Sequence, residues 1–309
     1  MSSQPSRVQW LRRLALRGRG DKVAFAFSGG GPLGAMQVGS LKALAEFGVR
    51  PDMVVGTSVG ALNATWTAFD PSAEGAAALE KVWLELTDAD LFPGGRFKAS
   101  WARFLVKGNR VFENSGLRRL VETRLGDDVR FDDAQIPLGM VGTELEHGGE
   151  ELFTSGRILE PLLASTAMPG VFPPVQIGDK SYIDGGVVNN VPIAPAVSMG
   201  ARTIYVMNST SHQHQRRPLL RPIDYMLHAF TLARSQRYVI EQAFLTERVR
   251  LVLLPSGTLD FYVPFASMAH TERLIAIGYD ATKEFLSGEK RAEIRTIKGG
   301  SVESIAPAK

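Results

Sequence analysis

Cysteine is absent from all 309 residues. That excludes a disulfide framework, a cysteine nucleophile and thiolate metal ligands, and it fits a reducing compartment. Long apolar runs are missing too. No stretch of about 18 or more apolar residues occurs, so no transmembrane helix is predicted. Near the start, VQWLRRLALRGRG carries Arg12, Arg13 and Arg17 where a secretory leader needs an apolar centre, so no such leader is predicted. These absences lead to the expectation of a soluble, cytoplasmic protein. Charge of either sign is scarcely in excess: 35 Lys and Arg stand against 32 Asp and Glu, a net charge of +3. The sequence pI near 9.1 therefore makes no case for a nucleic-acid partner. Histidine is sparse, with five in the chain.

Apolar patterning is ordinary for a folded protein, with 44% hydrophobic and 22% charged residues. Residues 1–21 form a basic arm, read as a solvated terminus, with contact to an anionic membrane surface as the other option. Val23–Phe27 is an uninterrupted apolar run, as expected of a strand buried on both faces. The glycine-rich SGGGPLG of residues 28–34 follows, then a helix over 35–47 that ends at Gly48. A second short strand, 53–55, leads through a tight turn at Ser58 into a helix over 59–69. Strand, helix, strand, helix in some 50 residues points to an α/β fold. The expected architecture is a three-layer α/β/α sandwich around a mostly parallel sheet.

Further helices are expected over 73–86, 115–125 (capped by Ser115), 158–167, 193–199, 223–247 and 272–286. Strands are expected over 138–145, 151–154, 181–183, 203–207 and 249–254. His147-Gly148-Gly149 reads as a hairpin turn and residues 168–186 as largely loop. The mixed aromatic and basic stretch 91–112 reads as amphipathic surface structure, with a cap or lipid-facing element as the alternative. The division expected is a single domain over 22–288 between the arm and a charged tail, 289–309.

Ser58 lies in Gly56-Thr57-Ser58-Val59-Gly60, a G-x-S-x-G pattern that is weak by itself. Its context strengthens it. Glycines on both sides let a serine stand clear at a strand-to-helix turn. The loop Gly29-Gly30-Gly31 ends the neighbouring strand, where open α/β sheets place their ligands. Bare amides beside a serine hydroxyl suit acyl transfer: the serine attacks a carbonyl and the amides hold the oxyanion. Pro32 lacks an N–H, so the donors expected are Gly30 and Gly31, with Val59 as a further candidate.

The base is open on residues alone. His147, His212, His214, His228 and His270 stand in no recognisable motif. Asp184, in Tyr182-Ile183-Asp184-Gly185-Gly186, ends an apolar strand and is the stronger candidate, although Asp-Gly is also a common turn. Gly29-x-Gly31-x-x-Gly34 also satisfies a dinucleotide fingerprint, but no acid ends the second strand to hold a ribose. A serine triad of the α/β-hydrolase kind is compatible in order, although its nucleophile normally follows more of the sheet.

Four blocks taken together are more specific: SGGGPLGAMQVGSLKAL, GTSVGALNA, the Ser165-to-Val175 segment SxAxPxxFPPV, and IDGGVVNNVP. In this order they resemble the patatin-like phospholipases. The resemblance implies a Ser58–Asp184 dyad, an oxyanion hole from Gly29, Gly30 and Gly31, and no required histidine. It implies hydrolysis of acyl esters in phospholipids or related lipids, without metal or cofactor. An acyltransferase sharing the acyl-enzyme, or a non-catalytic lipid-binding module, are the alternatives. Leu33 stands where that family often has Arg or Lys. Phe172, Phe261, Tyr262 and Phe265 are candidates to line an acyl pocket.

Overall fold

A computed structural model describes residues 21–91, 113–209, 249–264 and 267–288, together with positions 225, 229, 232–234, 237, 238 and 241. The arm through residue 20, most of the 91–112 stretch, the 210–222 loop, Phe265 and the tail from 289 lie outside the described residues.

The frame is one eight-stranded mixed sheet with helices on both faces. Its strands are β1 (Val23–Phe27), β2 (Met53–Thr57), β3 (Leu138–Glu144), β4 (Glu150–Phe153), β5 (Val175–Ile177), β6 (Lys180–Asp184), β7 (Thr203–Met207) and β8 (Arg250–Leu254). The order is β5-β6-β3-β2-β1-β7-β8, with β4 also paired to β3. The pairs β3–β2, β2–β1, β1–β7 and β7–β8 are parallel, and β4, β5 and β6 join by antiparallel pairing.

Helices α1 (Gly34–Glu46), α2 (Val59–Phe69), α3 (Ala73–Glu85), α6 (Leu159–Ser165) and α8 (Thr271–Ser287) accompany the larger core. The short α4 (Asp88–Leu91) and α5 (Ser115–Leu125) lie on its margin, and α7 (Ile193–Ser198) covers the opposite face. The described positions 225–241 are helical, and Tyr238 among them packs on the α7 side. The period of two along β1 explains the layers. Val23, Phe25 and Phe27 enter the larger core, while Ala24 and Ala26 enter the smaller one.

The expected α/β/α architecture is therefore present, with corrections at its edges. Within 168–186, otherwise largely loop as expected, the short strand expected over 181–183 extends to Lys180–Asp184 and pairs as a hairpin at the sheet edge with a strand not expected, Val175–Ile177. A three-residue strand has too little sequence for a visible alternation. Helix α5 is preceded by Asn114 at its cap position, and Ser115 is its first residue. The hairpin at His147 is present, joining β3 to β4.

Register on β3 positions the site. Met140 and Val141 pair with both β2 and β4, and Gly142 and Thr143 with both β4 and β6. Strand β4 thus occupies one edge of β3, while β2 and β6 share the other, end to end. Thr57 stands beside Val141, and Asp184 beside the next residue, Gly142. Since β6 runs against β3 and β2 runs with it, their C-terminal ends meet head to head.

Candidate active site

Ser58 sits where β2 turns into α2. Its backbone has φ 56° and ψ −129°, and it is the non-glycine residue with positive φ among the described residues. Such a conformation costs roughly 1–3 kcal/mol and persists only where the surroundings enforce it. The flanking glycines do so. A Cβ on Gly56 would lie 2.1 Å from the Gly60 carbonyl oxygen, and one on Gly60 would lie 2.3 Å from that of Phe27. The turn is thus pressed against the end of β1, and its side chain is left at the strand ends.

The Ser58 hydroxyl donates to Asp184 Oδ2 at 2.6 Å. Its amide donates to Ser165 Oγ at 2.9 Å, and Ser165 in turn donates to the Val141 carbonyl at 2.6 Å. Ser165 is fully buried, so this relay fixes the turn to β3. Asp184 is buried as well. Its Oδ1 accepts from the Gly186 amide at 2.6 Å, and its carbonyl accepts from Thr143 Oγ1 at 2.9 Å. Burial holds the Asp184 carboxyl above the usual carboxylate range. The hydrogen bond from Ser58, the Gly186 amide and the Arg234 charge act in the opposite sense.

The glycine loop lies directly against the serine, since a Cβ on Gly29 would stand 3.0 Å from Ser58 Cβ. Gly29 itself donates its amide to the Asn190 carbonyl at 3.1 Å. Of the three glycines it is therefore the one whose N–H is already engaged. Gly30 and Gly31 open a short 3-10 turn, Gly31–Leu33, and Val59 opens α2. Amides at the start of a helical turn have no acceptor within it. Leu33 closes the 3-10 turn and packs partly buried against the larger core.

Beneath the loop lies a polar network that sequence reasoning did not find. Gln37 Nε2 is 2.8 Å from the Ser28 carbonyl, 3.1 Å from that of Met207 and 2.9 Å from Ser209 Oγ. Asn63 donates to Gln37 Oε1 at 2.8 Å and receives the Trp83 indole N–H at 2.8 Å. Gln37, Asn63 and Ser28 are all buried. Polar residues on otherwise apolar helix faces at α1 and α2 were the available signal.

The remaining candidates fall elsewhere. His147 pairs with Glu144 at 2.6 Å on the exposed β3–β4 turn. His270 lies at the start of α8 with its ring 4.7 Å from that of Phe261, which also carries the Arg273 guanidinium at 4.0 Å. His212, His214 and His228 lie outside the described residues. Phe172 is half-buried, and Tyr262 is exposed. Glu144, Glu146 and His147 form a small cluster of possible ligand atoms on the surface, where exposed acidic groups are ordinary.

This chain belongs to the patatin-like phospholipase family, whose model matches residues 25–197, more than half of its length. It is 29% identical over 219 residues to patatin-like phospholipase domain-containing protein 7 of Mus musculus, covering 66% of this chain and 15% of that protein. It is 26% identical over 216 residues to lysophospholipase NTE1 of Mycosarcoma maydis, covering 67% of this chain and 11% of that protein. The chain thus spans a small part of the relatives it matches. Among solved structures, VipD from Legionella pneumophila aligns with a TM-score of 0.47 and 14% identity, covering 88% of this chain and 67% of that one.

Proposed function

We propose that this chain is a serine hydrolase of lipid acyl esters, with Ser58 as nucleophile and Asp184 as its base. The observation that carries the reading is the 2.6 Å hydrogen bond from Ser58 Oγ to Asp184 Oδ2 at a positive-φ turn. Ser58 Oγ attacks the ester carbonyl carbon while its proton passes to Asp184 Oδ2. The carbonyl π pair moves onto oxygen, and the amides of Gly30 and Gly31, with Val59, are the donors assigned to that oxyanion. Collapse expels the alcohol, which takes the proton from Asp184 and leaves an acyl group on Ser58. Asp184 then accepts a proton from water as the water oxygen attacks the acyl carbon, and the fatty acid leaves with Ser58 reprotonated.

The raised carboxyl suits this work, because a base in the ordinary carboxylate range accepts a proton poorly. Family membership and a relative named as a lysophospholipase support lipid acyl esters as the substrate class. No helix among the described residues is long and apolar enough to cross a membrane. A peripheral contact with a lipid surface is part of the proposal.

Labelling with a fluorophosphonate probe, located by peptide mass spectrometry, is the test. A rapid adduct on Ser58, lost in Ser58→Ala and much slower in Asp184→Asn, is the expected result. A folded wild-type protein that stays unlabelled with and without liposomes would overturn the catalytic reading and favour a lipid-binding module. Equal labelling of wild type and Asp184→Asn would remove Asp184 from its assigned role.

A further inference from the structure

Two glycines of the site are shaped around the same side chain. A Cβ on Gly29 would lie 2.6 Å from Asn190 Oδ1, and a Cβ on Gly186 would lie 2.9 Å from that same atom. The Asn190 amide therefore fills the gap between the glycine loop and the turn after Asp184. Asn190 also accepts the Gly29 amide through its own carbonyl. It thus holds the loop from backbone and side chain together.

Arg234 holds Asn190 in turn. Its Nη1 donates to Asn190 Oδ1 at 3.1 Å. The point where a Gly186 Cβ would sit is 3.2 Å from Arg234 Nη1 and 2.9 Å from Asp184 Oδ1. The guanidinium and the carboxylate are therefore no farther apart than the sum of those distances. Asp184 Oδ2 takes the Ser58 proton, and Oδ1 takes the Gly186 amide beside which Arg234 Nη1 lies.

The other groups around Asp184 are accounted for. Ser58 comes from the β2–α2 turn, Thr143 from β3, Ala167 from the end of α6, and Gly186 from its own turn. Among the described residues, Arg234 is the charged group acting on Asp184. One turn further along, Arg237 bonds Glu150 at 2.8 Å and Glu241 at 3.1 Å, and Asn189 joins the same two carboxylates. That second cluster anchors the helical segment to β4 and the Asn189 turn. It delivers Arg234 to the site.

We propose that Arg234 is a positioning residue for the Ser58–Asp184 pair, whose half-buried charge favours the ionised form of Asp184 and whose grip on Asn190 keeps the glycine loop against Ser58. The proposal rests on the reading of Asp184 as base. A carboxylate taken out of water favours its neutral form, and a cation within a few ångströms restores the ionised one. The reciprocal effect is visible on Arg234, where burial lowers the guanidinium pKa and Asp184 raises it. Arg234 lies beyond the residues matched by the family model, which end at 197.

The experiment measures the rate of Ser58 labelling by a fluorophosphonate across pH in wild type, Arg234→Gln and Arg234→Lys. Asp184 must be ionised to accept the proton, so the wild-type rate rises with pH along an acid limb. In Arg234→Gln that limb moves to higher pH. The rate at about pH 5, relative to that at about pH 8, falls on the order of tenfold below the wild-type ratio. Arg234→Lys keeps the charge and with it a limb close to wild type. A merely structural role would lower the rate equally at all pH and leave the limb in place; that result in folded Arg234→Gln overturns the proposal. Should Arg234→Gln not fold, Arg234→Met takes its place, a limb displaced to higher pH supporting the charge role and an unmoved one overturning it. Failure of the underlying reading looks different, since wild type itself would then lack labelling or Asp184→Asn would label normally.

Discussion

At the scale of single residues, the site stores strain and buried charge in the same place. Asp184 has a folded-state pKa above its unfolded value, mainly through burial. Below the unfolded value both states are protonated and the group is neutral in its effect. As pH rises past it, the unfolded chain ionises first, so stability is progressively lost until the folded pKa is passed. Asp184→Asn removes that penalty. Its melting temperature should exceed that of wild type at pH 7 and converge with it below about pH 4, where the unfolded carboxyl is protonated. Thermal unfolding across pH checks this, and a variant less stable than wild type at neutral pH would refute it. Ser165 offers a second test. Ser165→Ala leaves the Ser58 amide and the Val141 carbonyl without this partner, which costs about 1–3 kcal/mol for each such buried group. Stability should fall, and labelling of Ser58 should slow as the turn loosens. Unchanged denaturant midpoints would contradict the relay.

At the scale of elements, the strand ends are held together by side chains from the helices behind them. Gln37 on α1 binds carbonyls at the ends of both β1 and β7, and Asn63 on α2 binds Gln37. The glycine loop therefore rests on hydrogen bonds between two helices as well as on its own backbone. Gln37→Leu keeps the approximate volume but strands the Ser28 carbonyl and takes one partner each from the Met207 carbonyl, which keeps the Ser28 amide, and the Asn63 amide, which keeps the Gly34 carbonyl. A loss of about 1–3 kcal/mol is expected, since an unsatisfied buried polar group costs more than the bond it replaces. Slower Ser58 labelling should accompany it. Denaturant unfolding reads the first effect, and a loss below about 0.5 kcal/mol, ordinary for a surface change, would show that the network is not needed.

At the scale of the whole molecule, one sheet serves two cores. Phe25 and Ile204 lie on neighbouring strands but face opposite layers. We expect the chain from 22 to 288 to unfold as one cooperative domain, because neither layer exists without the shared strands. Phe25→Ala should cost about 3–5 kcal/mol and Ile204→Ala about 2–5 kcal/mol, as large-to-small core changes do. Both should shift a single thermal transition seen alike by far-ultraviolet circular dichroism and tryptophan fluorescence. Two separable transitions, each moved by only one substitution, would divide the domain.

Much of this was legible in residue order. Val23–Phe27, Val59–Phe69 and Thr203–Met207 were readable to the residue, because buried strands are continuous apolar runs and α2 begins at a glycine-flanked serine and ends before Asp70-Pro71. The parallel α/β frame and the pairing of a glycine loop with a serine turn follow from strand–helix alternation alone. Alternation leaves the partner of Ser58 open. Ser58 and Asp184 are separated by 126 residues, and Asp184-Gly185 also reads as a common turn, so it is the resemblance of the four blocks that points to the pair. They meet because β2 and β6 abut on one edge of β3, a matter of register that period-two patterning leaves open. Asn190, Arg234 and Ser165 were invisible for the same reason. Their roles come from which backbone lies within hydrogen-bond reach, and only the closed sheet decides that. Sequence alone thus determined the layers and the Ser58 turn, since both arise from neighbours along the chain. Tertiary structure decided what faces that turn, since those contacts arise between segments the chain must first bring together.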